Sequence, residues 1–184
     1  MKNIILLLLF GCFSLSCVAN EIEEPDFIGD VLLVSNEEVI PLDKEIAQFT
    51  SGVSWSANSW NATYMKIDGA KASVRIPKGT STVKLIIKAA DNNSDPMSII
   101  SIFKFKEKRK NRETMLKVDN SDNAFRNSYT VTKNLQKFSG RKYGESSYEI
   151  QLNNLEPGEY GIVVKNPNAE DEKRVIVACF GINK

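Results

Sequence analysis

Apolar residues recur along this chain in short runs, and within several runs they alternate with polar ones. Tyr148, Ile150 and Leu152 fall on one side of a period-two pattern, with Glu149 and Gln151 on the other. That spacing is the spacing of a strand with one face toward a core and one toward water. Runs rich in β-branched and aromatic residues follow one another: "DVLLVS", "ATYMKI", "KASVRI", "TVKLIIKAA", "SIISIFKFK", "TMLKV", "SYTVTK", "SYEIQL", "EYGIVV" and "KRVIVACFGI". Turn chemistry separates them: "DG" at Asp68, "PKG" at Pro77, "DNNSDP" from Asp91, "EPG" at Glu156 and "KNPN" from Lys165. The one helix candidate, "PLDKEIAQF" from Pro41 to Phe49, is short and poorly capped. The pattern predicts an all-β protein, a sandwich or barrel of about eight to ten strands, with no internal repeat.

The first segment, "MKNIILLLLFGCFSLSCVAN", departs from this pattern: one lysine, an apolar run from Ile4 to Phe10, then small residues. It reads as an export signal over residues 1–19. A transmembrane helix needs roughly 20 apolar residues, and Ser14, Ser16 and Asn20 interrupt the stretch before that length. Two processing routes stay open. One is cleavage after Ala19; the other is lipid attachment at Cys17 after "SLS", which resembles a bacterial lipobox with Ser14 where that motif prefers leucine. "LFGC", ending at Cys12, is a rival attachment site. Residues 20–28, with "NEIEEPD", read as an acidic, solvated tether, and residues 29–184 as a single domain. Either route places the protein in the periplasm, on the outer membrane surface or outside the cell.

Composition narrows the chemistry. The chain has 184 residues, 42% hydrophobic and 26% charged, which is ordinary for one folded domain. With 24 basic and 23 acidic residues it carries no global field toward nucleic acid or anionic lipid, so a charged partner must be met locally. It contains no histidine, which excludes Ser-His-Asp and Cys-His catalysis and imidazole metal sites. Of its three cysteines only Cys179 belongs to the domain, inside the apolar run "VIVACF", where it reads as a small core residue rather than a reactive thiol.

Between "SYEIQL" and "EYGIVV" lies "LEPGEY", Leu155 to Tyr160. Proline suits the first central position of a turn and glycine the positive φ of the second, as in a type II turn. Leu155, Pro157, Gly158 and Tyr160 resemble the tyrosine corner of immunoglobulin-like and fibronectin type III sandwiches, which implies an immunoglobulin-like β-sandwich of antiparallel strands, a structural role for the motif and a Tyr160 hydroxyl bonded to backbone between Leu152 and Glu156. From about Ile40 to Ile182, "DGAKASVRIP", "DPMSIISIFKF", "LEPGEYGI" and "ACFGI" resemble, in that order, a family of uncharacterised secreted bacterial β-sandwich proteins. The resemblance implies an exported sandwich and brings no activity with it.

Three constellations could carry chemistry. "FKFKEKRKNR" reads as a hairpin with a solvated basic tip, and its sharper reading is an anion-binding site of Lys104, Lys106, Lys108, Arg109, Lys110 and Arg112. "WSANSWNATY" brings Trp55, Trp60 and Tyr64 together with amide and hydroxyl residues, as a sugar-stacking surface would. Trp60 and Tyr64 share a strand face, but Trp55 lies five residues from Trp60 and faces the other way, so at least one tryptophan is expected in the core. Carboxylates such as Glu23 and Glu24, or Asp119 and Asp122, lack the spacing of a calcium loop or a glycosidase pair. No catalytic residue, metal or cofactor is expected. The sequence supports an exported, non-enzymatic envelope protein with a structural or binding role, or alternatively an extracellular glycan-binding module. Its partner would be an envelope protein or a glycan rather than nucleic acid, with membrane contact only through a lipid anchor.

Overall fold

The structure, a computed structural model, describes residues 22–35, 38–54, 60–122, 125–171 and 174–184. Cys12, Cys17 and Trp55 lie outside the described residues. In chain order the elements are β1 (Val31–Ser35), β2 (Glu38–Pro41), β3 (Asp43–Ile46), β4 (Gln48–Ser54), β5 (Trp60–Asp68), β6 (Arg75–Ile76) and β7 (Thr82–Lys88). After the single-turn helix α1 (Pro96–Ile99) come β8 (Ile100–Glu107), β9 (Asn111–Asp122), β10 (Phe125–Thr130), β11 (Ser139–Tyr143), β12 (Ser147–Asn153), β13 (Gly158–Val164) and β14 (Ile176–Ile182).

Two sheets pack together. One has the order β11-β12-β7-β1-β2; the other has β3-β14-β13-β8-β9-β5-β4, with β10 on β9 and β6 on β14. All these pairs are antiparallel except the two-residue β6–β14 ladder. The fold is thus an all-β sandwich, with fourteen strands among the described residues where about eight to ten were expected. The extra strands have a physical signature. β2, β3 and β11 are edge strands with almost every residue exposed or half-buried, so they carry no core-facing alternation to read. The helix candidate Pro41–Phe49 forms the end of β2, all of β3 and the start of β4, because Asp43–Ile46 pairs with Cys179–Ile176 of β14. The actual helix turn was hidden in "DNNSDP": Asp95 caps it by accepting from Met97 N at 2.8 Å, and Pro96 opens its first turn.

The second sheet is covered on both faces. Along β14, Ala178, Phe180 and Ile182 join the main core with Tyr160, Ile162, Ile102 and the inner face of the first sheet, while Val177 and Cys179 enter a second core. That second core holds Met65 and Ile67 of β5, Phe105 of β8, Ala47 and Ala72. The sheet reaches it by curling. β3 and β4 sit at opposite ends of the strand order, yet only Ala47 joins them. One residue spans about 3.5 Å, so the two ends must meet at a corner. On its other side β8 pairs with β9 only at Lys106 and Glu107, and then with the segment around Leu135, through Lys104 N to Asn134 O and Gln136 N to Ile102 O, each 2.8 Å. β9 is thereby free to turn over the second core.

At the "LEPGEY" turn, Tyr160 is buried, stacks on Phe180 with ring centroids 5.2 Å apart, and donates its hydroxyl to Glu156 O at 2.7 Å. Burial, with the Glu156 carboxylate adding to it, pushes the phenol pKa up to about 12 against the opposing carbonyl bond. The turn itself differs from a type II geometry. Gly158 has φ 154° and already pairs with Ile182, and the left-handed residue is Asn154 at φ 54°. Glu149 also differs from its expected solvent position. It faces away from Ile150 as the alternation requires, but Arg141 at 2.6 Å and Gln151 cover it.

The acidic tether is likewise not free in solvent throughout. Glu24 is seated in the β11–β12 turn, accepting from Ser147 Oγ at 2.5 Å, Ser146 N at 3.3 Å, Lys88 Nζ at 3.2 Å and the Glu145 amide. The Tyr143 hydroxyl donates to the Ile22 carbonyl beside it. Gly144, at φ 53°, leaves room for this clip, since a Cβ there would lie 1.8 Å from Glu24 Oε1.

Two measurements test these ties. Tyr160→Phe keeps the stacking and removes one buried hydrogen bond, so chemical denaturation should show a loss of about 1 to 2 kcal/mol; an unchanged midpoint would mean the corner bond contributes nothing. At Glu24, burial raises the pKa, but the bonds from Ser147, Glu145, Lys88 and Ser146 outweigh it and bring the value down to about 2 from the ordinary 4.5. A depressed carboxylate stabilises fully above its unfolded value and loses that contribution as pH falls through its folded value. Glu24→Gln should therefore speed amide exchange at Glu145 and Ser146 at pH 7, and the difference from wild type should vanish below about pH 2.

Candidate functional site

The richest local chemistry is the β8–β9 hairpin. Its two strands meet at Lys106–Glu113 and Glu107–Arg112, and Lys108 N closes the turn on Asn111 O at 2.9 Å. Strand alternation then sorts its side chains. Phe105 goes into the second core, whereas Lys106, Lys108, Arg109 and Lys110 stand in solvent. Lys108 is 3.1 Å from Glu113 and Lys184 is 3.1 Å from Glu107, whose carboxyl the Lys184 ammonium pulls below its usual range.

Two of the six basic candidates are engaged elsewhere. Lys104 reaches back to the corner, 2.6 Å from Glu156 and 6.0 Å from the centroid of the Tyr160 ring, so it braces the turn that Tyr160 anchors. Arg112 is no part of the exposed set, because its side chain has no solvent-accessible surface. It pairs across β5 with Ile67 and therefore points with it into the second core. There it donates from Nη1 to Gly69 O at 2.8 Å and Asp68 O at 3.2 Å, with Glu45 3.7 Å from Nη2. An arginine fixed on two turn carbonyls holds the β5 turn in place; it cannot meet a partner from solution.

The second core has further buried polar groups. Glu159 accepts from Arg75 Nη1 at 2.6 Å and from Ala72 N at 2.8 Å. Together the bonds tie β6 and the segment before it to β13. Cys179 is free and buried, with its thiol 3.6 Å from Val177 O. Burial pushes the thiol pKa up, and the nearby Arg112 guanidinium opposes this only in part. The thiol therefore stays neutral and enclosed, which is the core environment of an inert cysteine.

The aromatic cluster is only partly described. Trp55 lies outside the described residues, and of Trp60 only the backbone is described, paired with Ser54 and Asn120. Tyr64 is half-buried and packs with Met115 against Ala62, Val118 and Val131. Its ring closes over Gly52, where a Cβ would lie 3.2 Å away. This tyrosine is committed to a small satellite core rather than open for stacking. Among the described residues no group of three or more Cys, Asp or Glu side chains could hold a metal ion.

No protein-family model matches the chain, and no curated protein does either. Its chemistry has to be read from its own side chains.

Enclosure of Cys179 gives a direct check of the second core. A maleimide reagent should leave the folded domain unmodified at Cys179 and label it fully in denaturant. Rapid labelling under native conditions would show that the core opens or that the thiol is reached from outside.

Proposed function

We propose that this protein is an exported, non-enzymatic β-sandwich module of the bacterial cell envelope, with a structural or binding role. One observation carries the reading: the buried ionisable groups hold the fold together. Glu159 is bound by Arg75 and the Ala72 amide, Glu149 by Arg141, and Arg112 by the carbonyls of Asp68 and Gly69. A catalytic site needs ionisable groups facing a space where a substrate can sit. The Tyr160 bond to Glu156 O supports the kinship with fibronectin type III and immunoglobulin-like sandwiches, whose corner does the same work. The alternative, glycan binding through Trp55, Trp60 and Tyr64, is weakened by the packing of Tyr64 into its own cluster.

Export rests on the signal-like first 19 residues, and anchoring on Cys17. No helix among the described residues is long and apolar enough to cross a membrane. In a bacterial host fed radiolabelled palmitate, wild-type protein and Cys12→Ala should carry label, and Cys17→Ala should not. Label lost only with Cys12→Ala would move the anchor, and no label in any form would favour cleavage after Ala19.

A further inference from the structure

Exposed apolar side chains are not spread evenly over this sandwich. The described residues leave six large hydrophobic side chains in solvent: Phe27, Val39, Ile46, Phe49, Met97 and Ile176. Four of these, Phe27, Ile46, Met97 and Ile176, stand at the same end. β7 finishes there, α1 follows it and β8 starts, next to the start of β14, where Ile176 pairs with Ile46. Hydrogen bonds draw the connections of this end together: the Tyr148 hydroxyl donates to Ser94 O at 2.6 Å, Asn92 Nδ2 to Gly144 O at 3.1 Å and Lys165 N to Ile99 O at 2.8 Å. Phe27 arrives with the N-terminal segment, because Gly29 N donates to Lys88 O at 3.0 Å and Asp30 holds Lys44 of β3 at 2.5 Å. The Glu24 clip in the β11–β12 turn fastens the chain to this end, with Pro25 buried behind it.

We propose that this end of the sandwich is a membrane-contacting surface, seated on the lipid interface that holds the anchor, with Phe27 and Met97 inserted and the Ile46–Ile176 pair beside them. The assignment rests on the proposed anchor at Cys17. Seven residues separate Cys17 from Glu24, so the tether extends at most about 24 Å. A tether of that length lets the domain turn, and the face in contact is then selected by the side chains it presents. The apolar ones sit where the tether joins. Phe27 and Met97, 70% and 61% exposed, come from separate connections and form no continuous face. A folded partner covers a continuous patch, whereas a lipid interface admits separate apolar side chains one by one. Charge does not select the end: Glu23, Asp26, Asp91 and Glu145 are exposed there, and so are Lys142, Lys165 and Arg174. Contact by apolar insertion therefore needs no anionic lipid and little depends on salt.

Quenching on vesicles with an artificial anchor tests the surface without relying on lipidation at Cys17. The protein from residue 18 is held by an N-terminal histidine tag on phosphatidylcholine vesicles containing a little nickel-chelating lipid. It carries a fluorophore either at Asn93→Cys, beside α1, or at Ser81→Cys, at the opposite end; Cys179 is buried and stays unlabelled. Nitroxide placed just below the headgroups should quench the Asn93 probe several-fold more than the Ser81 probe, with a ratio that added salt leaves in place. The double substitution Phe27→Ser and Met97→Ser should lower that ratio at least twofold and leave the unfolding transition unchanged. Equal quenching of the two probes, stronger quenching at Ser81, as contact through the basic hairpin would give, or a ratio that the double substitution does not move each overturns the surface. Palmitate labelling reads the anchor and quenching reads the surface, so either can fail alone.

Discussion

β8, β13 and β14 bury residues on both faces, and the architecture follows from the need to cover both. A strand with one buried face asks for one partner layer; a strand that alternates Val177, Ala178, Cys179 and Phe180 asks for two. The first sheet supplies one layer. The other has to come from the same sheet, so the strands beyond β8 turn back over it, and the chain at Ala47 closes the corner.

The second core brings polar groups with it. Turning a sheet over itself buries turns and the starts of strands, and their backbone groups must be satisfied without water. Arg112 answers for the Asp68 and Gly69 carbonyls, and Glu159 for the Ala72 amide. These charges are therefore set by the curl of the sheet. The outward hairpin residues escape that demand, which leaves Lys106, Arg109 and Lys110 to solvent.

Much of this was legible in the sequence, and the part that was not has a common cause. Period-two alternation marked the strands with one apolar face, as in Tyr148, Ile150 and Leu152. It failed for β2, β3 and β11, which lie on edges and take their conformation from hydrogen bonds to a neighbour rather than from side-chain burial. Asp43–Ile46 looked helical because nothing local opposed it, and only the partner strand more than a hundred residues away decides otherwise. The same gap separates Arg112 from Arg109. Both belong to one basic run, but which of them is enclosed depends on β5 and β3, and no local window contains those strands. Glu24 is harder still: a carboxylate among carboxylates in "EIEEPD" is singled out only by the geometry of a turn some 120 residues away, to which it donates no recognisable motif.

The position of β14 governs when folding can finish. Residues 176–182 lie between β3 and β13 in the second sheet, and both cores draw side chains from them. Until they have left the ribosome, β3 has no partner and neither core can close, so the nascent chain has no complete sandwich to fold into.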